Sequence, residues 1–167
     1  AEGAVPAMGR LVRWAEAHGV THLATVDDHE LTDPELSDHP DYESTYPPHC
    51  LRGTHGAAKI EATRQRDPLL LSLTPYPPAL IPSLAEGARE ILVLTKTFSA
   101  FSNPNLEPLV VALDPSEVLL FGVATHVCNH AAVRRRARQS RWTWGPRRNG
   151  HNCRRQGCRS SKRTGAR

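Results

Sequence analysis

The apolar positions of this chain fall into short groups separated by polar stretches. Over residues 4–18 (AVPAMGRLVRWAEAH), Val5, Met8, Leu11, Val12 and Ala15 recur at the i, i+3, i+4, i+7 spacing of one helix face, and Gly19 follows as a stop signal. Residues 22–26 (HLATV) form an apolar run with the length of a buried strand, and residues 91–94 (ILVL) form a second. Asn103 and Pro104 predict an N-cap and a first-turn proline ahead of a helix running to about Leu113. Residues 118–123 (VLLFGV) predict a third buried strand, and a further helix is expected from Cys128 to about Ala137. Between them, residues 27–68 are rich in Asp, Pro, His and Gly and show no period. A loop of that length in a compact domain is usually functional or disordered.

Strands that are apolar throughout and alternate with helices predict an α/β fold. The expected form is three layers, α/β/α, with a parallel sheet covered on both faces. Sheets of this kind bind ligands beyond the carboxyl ends of their strands. Asp27, Lys96 and Cys128 each stand just after one of the three apolar runs, so all three are expected along one edge of the sheet.

Composition alters this picture mainly at the two ends. With 167 residues, 39% hydrophobic and 23% charged, the chain has the make-up of one soluble domain. No apolar run approaches the roughly 18 residues a membrane span needs, and no signal-peptide pattern opens the chain. Cys50, Cys128, Cys153 and Cys158 are too sparse for a disulfide scaffold, so a reducing cytoplasm is the expected compartment. The first residue is Ala1 inside what reads as a structured segment, and an N-terminal truncation is expected. The net charge of +4 hides a division: residues 1–133 carry 8 Lys/Arg and 17 Asp/Glu, residues 134–167 carry 13 Lys/Arg and no acid. We therefore expect a folded body over 1–133 and a disordered, arginine-rich tail over 134–167. The abrupt loss of acids and aliphatics also fits a reading-frame shift or a misassembled gene, which an independently confirmed nucleotide sequence would refute. A nucleic-acid reading exists, since Trp142 and Trp144 lie among the cations and could stack on bases. Its zinc-knuckle variant is poor, because His151, Cys153 and Cys158 do not have a good ligand spacing.

Candidate chemistry sits in the body. Residues 121–133 (FGVATHVCNHAAV) run from a strand into a cysteine at a helix start. There the free N–H groups and partial positive charge lower a thiol pKa and can hold an oxyanion. The competing reading of Cys128 is a buried core cysteine. Lys96 directly after an apolar strand is awkward as structure, yet an ammonium beside a thiol favours the thiolate. In an extended segment Asp27 and His29 project to one side and can grip one ion, with His49 twenty residues on. Oxygen and imidazole donors suit Zn, Fe or Mn. Loop Asp and His are, on spacing alone, more often solvated surface.

Three segments together resemble the nicotinamidase and isochorismatase-like cysteine hydrolases. Residues 122–128 (GVATHVC) are similar to that family's cysteine loop, and residues 95–106 (TKTFSAFSNPNL) to the segment bearing its catalytic lysine. Residues 27–29 (DDH) with 46–50 (YPPHC) are similar to the nicotinamidase metal loop. The resemblance runs from about Gly3 to Val133. It implies Cys128 as nucleophile, Lys96 as its partner, a cis Val123–Ala124 bond, and oxyanion donors at the amides of Ala124 and Cys128. It implies a divalent metal (Zn, Fe or Mn) on Asp27, His29 and His49. The fourth ligand varies in that family, with Glu35, Glu43 and His39 as candidates here and Glu35 preferred. Cys50 is expected to pack rather than coordinate. Trp14, Tyr46 and Phe101 are candidates for stacking on a pyridine amide.

The implied reaction is hydrolysis of a small, nicotinamide-like amide to acid and ammonia through a Cys thioester. Isochorismate-like ether hydrolysis fits less well, because members with that activity lack the metal loop. The family's catalytic aspartate lies on a strand ahead of the helix that opens this chain. If the sequence is complete as given, severely reduced turnover is expected, and a catalytically dead remnant is the alternative. The expected partner is the small-molecule amide, without membrane or nucleic acid, and with self-association as a homo-oligomer left open.

Overall fold

The structure, a computed structural model, describes residues 2–137. Helix α1 spans Val5–Ala17, strand β1 His22–Asp27, strand β2 Leu69–Leu71, helix α2 Ile81–Gly87, strand β3 Glu90–Thr95, helix α3 Leu106–Leu113 and helix α4 His130–Ala137. One π-helical turn, Thr125–Asn129, runs into α4. The first helix and the first two apolar runs thus fall within a residue or two of their expected bounds.

The three strands form one sheet in the order β1-β3-β2, parallel throughout. β3 is central and alternates, with Ile91, Val93 and Thr95 buried on one pleat. Ile81 and Ala85 of α2, Leu106 and Leu109 of α3, and Leu71 of β2 pack with Ile91 and Val93 as one apolar cluster. The opposite pleat of β1 is closed where α1 meets it, with Met8, Val12 and Ala24 buried. α1 also approaches the turn at Glu61–Thr63 closely because Gly9 has no side chain: a Cβ would stand 3.3 Å from the Ala62 carbonyl. The outcome is the expected α/β architecture with helices on both sides of a parallel sheet.

Two asparagines tie the carboxyl ends of the strands together. Asn103 is 1% exposed, and its Nδ2 donates to the carbonyls of Leu71 (3.0 Å), Ser72 (3.1 Å) and Leu94 (2.9 Å). Its Oδ1 accepts from the Asn105 amide at 2.9 Å. Asn105 in turn donates to the carbonyls of Ser72 and Thr74 and accepts from the Tyr76 amide. This corrects the expected cap. α3 starts at Leu106 with Asn105 at the cap position and no side-chain cap bond. The Asn103 amide is spent instead on carbonyls at the ends of β2 and β3, where burial makes an unmet acceptor costly.

The third expected strand is not formed. Residues 118–123 have no regular structure, and Val118, Leu119, Leu120 and Val123 are exposed. Apolar composition gives strand propensity, but a strand exists only where a neighbour offers a free ladder, and no described strand lies alongside. β2 and α2, conversely, had no legible period. The long segment after β1 carries only short turns at His55–Ala57 and Glu61–Thr63 and two isolated bridges. α4 continues to Ala137, and Arg135 on it pairs with Glu107 of α3. The remainder of the expected basic tail, 138–167, lies outside the described residues, as do Trp142, Trp144, Cys153 and Cys158. Among the described residues no helix is long and apolar enough to cross a membrane.

Candidate active site and metal cradle

Because β1 and β3 are parallel and Asp27 is in register with Thr95, Asp27 and Lys96 emerge at the same edge. Thr95 Oγ1 donates to Asp27 Oδ1 at 2.7 Å, pinning one carboxylate oxygen. The loop that follows is folded back by backbone bonds. His29 N–H donates to the Cys50 carbonyl (3.2 Å), Arg52 N–H to the His29 carbonyl (2.9 Å), and Tyr46 N–H to the Glu35 carbonyl (2.8 Å). Arg52 reinforces the fold from outside, its guanidinium reaching Asp28 at 2.5 and 2.9 Å and Glu30 at 2.5 Å. That contact holds the Asp28 carboxyl below its ordinary range. So a loop without periodicity acquires order from side-chain and bridge contacts, which hydrophobic patterning does not encode.

The folding brings together the expected ligands. His29, Glu35 and His49 each place a donor atom within 4.8 Å of the others, and Asp27, His49 and Cys50 do the same. Each of the four oxygen and nitrogen candidates has one atom tied down. His29 Nδ1 meets Asp33 Oδ2 at 3.0 Å, and His49 Nδ1 meets the Pro47 carbonyl at 2.8 Å. Facing acceptors, both Nδ1 atoms must carry the hydrogen, so Nε2 is the nitrogen each ring has left to offer a cation. His29 is fully buried and its Nε2 has no hydrogen-bond partner, lying 3.8 Å from Glu35 Oε1. Glu35 is itself buried, and its Oε2 accepts from the Phe98 amide at 3.1 Å, leaving Oε1 toward the histidine. Burial and the Asp27 charge push the Glu35 carboxyl up, against His29, His49 and the Phe98 amide. An orphaned buried imidazole nitrogen beside the Glu35 carboxylate and a second histidine fits a cation. Of the other fourth-ligand candidates, His39 and Glu43 are exposed and join no such group among the described residues. Cys50, expected only to pack, has its sulfur within the Asp27–His49 group, with burial and Asp27 pushing its thiol up.

Cys128 is the fourth residue of the π-helical turn, so the helix opens at Thr125, three residues before the expected start. Such wide turns recur at functional positions. The chain enters through Gly122 at φ +139°, a conformation an L side chain rarely adopts, and Asn129 Nδ2 holds the Gly122 carbonyl at 3.0 Å. The Val123–Ala124 bond is cis. Burial and the charges of Asp27 and Glu35 push the Cys128 thiol up, while the amides of Ala124 and Cys128 pull it down. The thiol therefore feels both the acidic cluster and the two expected oxyanion donors.

Lys96 Nζ is bound to Asp33 Oδ2 at 2.8 Å. Asp33 carried no role in the sequence reading. Its only signal is the i, i+4 spacing from His29, which is common in any acidic loop. Burial alone would raise its carboxyl. The bonds from Lys96, the Glu30 amide and His29 outweigh that and bring it to about 2. Among the stacking candidates, Tyr46 stands at the site, its ring 5.2 Å from Phe98 and 6.4 Å from His49. Phe101 packs on the core and Trp14 stacks on His18 of α1.

Residues 1–139 match the family described as "Isochorismatase domain". The chain belongs to the isochorismatase family. Two solved structures share the family fold: a nicotinamidase PncA and a nicotinamidase/pyrazinamidase PncA, both from Bacillus subtilis. They are 19% and 21% identical to this chain, each with a TM-score of 0.52 over 80% of it. The chain spans 63% of the length of each of them. A search of curated proteins finds no match.

Proposed function

We propose that this family member is a metal-assisted cysteine amidohydrolase acting on a small aromatic amide of the nicotinamide type. The observation that carries the reading is the pair of donor groups that share His49, namely His29–Glu35–His49 and Asp27–His49–Cys50, with the charges of Asp27 and Glu35 felt at Cys128. Asp27, His29, Glu35 and His49 would hold a divalent cation (Zn, Fe or Mn), which supplies Lewis acidity and an anchor for a pyridine-type nitrogen. Tyr46 and Phe98 form an aromatic wall beside His49, suited to a flat ring.

The remaining chemistry belongs to the chain. Cys128 Sγ attacks the amide carbonyl, and the developing oxyanion accepts from the Ala124 and Cys128 amides. The C–N bond breaks, ammonia leaves with the thiol proton, and a thioester remains on Cys128. Water then releases the acid and restores the thiol. The Lys96 ammonium adds positive charge on the same edge. Intact-mass spectrometry of acid-quenched mixtures with nicotinamide tests this directly. A nicotinoyl adduct on the wild type, absent from Cys128→Ala, is expected; an adduct that survives the substitution contradicts the assignment. The upward push on the Cys128 thiol favours a second reading, a non-catalytic metal-binding member, which requires Zn2+ binding without any adduct.

A further inference from the structure

Asp33 is held in a tight turn, its own N–H donating to the Glu30 carbonyl at 2.9 Å while its Oδ2 accepts from the Glu30 N–H at 2.9 Å. The same oxygen accepts from His29 Nδ1 at 3.0 Å and from Lys96 Nζ at 2.8 Å. It is mostly buried, at 14% side-chain exposure, with Lys96 at 25%. One carboxylate atom thus serves a cradle histidine and the lysine of the cysteine chemistry, across 63 residues of sequence. The geometry points to Asp33 as a positioning residue that fixes the His29 tautomer for cation binding and, through the same oxygen, couples the cradle to Lys96. The inference deepens the function proposed above and rests on its assignment of His29 and Lys96.

The physical reason is the acceptor-only character of an ionised carboxylate. Facing it, His29 Nδ1 has to donate, so the Nε2 lone pair is aimed into the group formed with Glu35 and His49. Lys96 cannot leave Asp33 without removing a charge-assisted bond from the atom that orients His29, so a change at either end is felt at the other. Glu35 does not perform this task, because its Oε1 faces the other ring nitrogen of His29, 3.8 Å from Nε2.

Two measurements on the full chain test it. Long-range 1H–15N spectra of the metal-free protein are expected to show His29 as the Nδ1–H form in the wild type and in Lys96→Met, and to lose that fixed form in Asp33→Ala. Zn2+ affinity, read by competition with a chromophoric chelator, is expected to fall about 10- to 100-fold in Asp33→Asn, which preserves side-chain shape should Asp33→Ala fold poorly. The Asp33→Asn and Lys96→Met effects on Zn2+ affinity are expected to be non-additive by about threefold or more. His29 found as the Nε2–H form in the wild type overturns the inference, as does wild-type Zn2+ affinity in both Asp33 variants. Strict additivity overturns the coupling to Lys96. His29 held as Nδ1–H by Asp33 in a wild type that binds no Zn2+ supports the positioning role and contradicts the metal reading on which the proposed function stands.

Discussion

Replacing Asn103 with Ala removes the clamp at the carboxyl edge of the sheet. The Asn103 Nδ2 carries two hydrogens but meets three carbonyls, those of Leu71, Ser72 and Leu94, so one bond is shared. Counting two full donor bonds and the Oδ1 bond to the Asn105 amide, at about 1 kcal/mol each, gives a loss near 3 kcal/mol. Because the site is 1% exposed, water cannot freely replace the lost donors, and the orphaned groups add to that figure. The expected destabilisation is therefore about 3–4 kcal/mol, a large share of a small domain's stability. Urea denaturation followed by far-UV circular dichroism measures it through the midpoint, with an unchanged slope showing that two-state unfolding persists. A loss below about 1 kcal/mol would refute the claim that these strand ends depend on Asn103 for their hydrogen bonds. Since Asn103 lies seven residues beyond Lys96 on the segment it anchors, the same variant is expected to weaken the Lys96–Asp33 contact.

Leu109→Ala empties a fully buried position in the α3–β3 cluster and is expected to cost about 2–5 kcal/mol in the same assay, whereas a loss under 1 kcal/mol would mean α3 is not packed as described. Alkylation of Cys128 by iodoacetamide is expected to show its half-point above the ordinary thiol pKa of 9.0 in the metal-free chain, and to move down in Asp27→Asn, where one repelling charge is gone. A half-point below that value contradicts the electrostatic account. By the same sign, the contribution of Cys128 to stability is full below the unfolded thiol pKa and is lost as pH rises through the higher folded value. Arg52→Ala is expected to leave the global midpoint nearly unchanged, because the guanidinium is exposed, yet to speed protease cleavage within 28–52; unchanged cleavage would show that the bridge bonds alone hold that loop.

How far each feature could be read from the chain follows from what encodes it. α1 is legible through the helical period of Val5, Met8 and Val12, and β1 and β3 through apolar runs long enough for a buried strand, all of which the sequence itself carries. Residues 118–123 carry the same kind of apolar signal but find no neighbouring ladder, so their propensity is not realised among the described residues. β2 is three residues long and exists because β3 offers it an edge, which no local pattern reports. At the site, Asp27, His29, Glu35 and His49 were legible through resemblance, and they stand in two donor groups that share His49. Asp33 was not, since its role depends on two partners converging from 4 and 63 residues away. Asn103 read as a helix cap because its local spacing allows one, and the strand carbonyls that claim its amide are visible only in three dimensions.

The most direct test of the account is ammonia release from nicotinamide by the purified chain supplied with Zn2+, Fe2+ or Mn2+, run beside Cys128→Ala. Metal-dependent release that is abolished by the substitution is the result the account requires. Release that persists in Cys128→Ala, or no release from a wild type that binds the metal, would contradict the assignment of this site as a cysteine amidohydrolase.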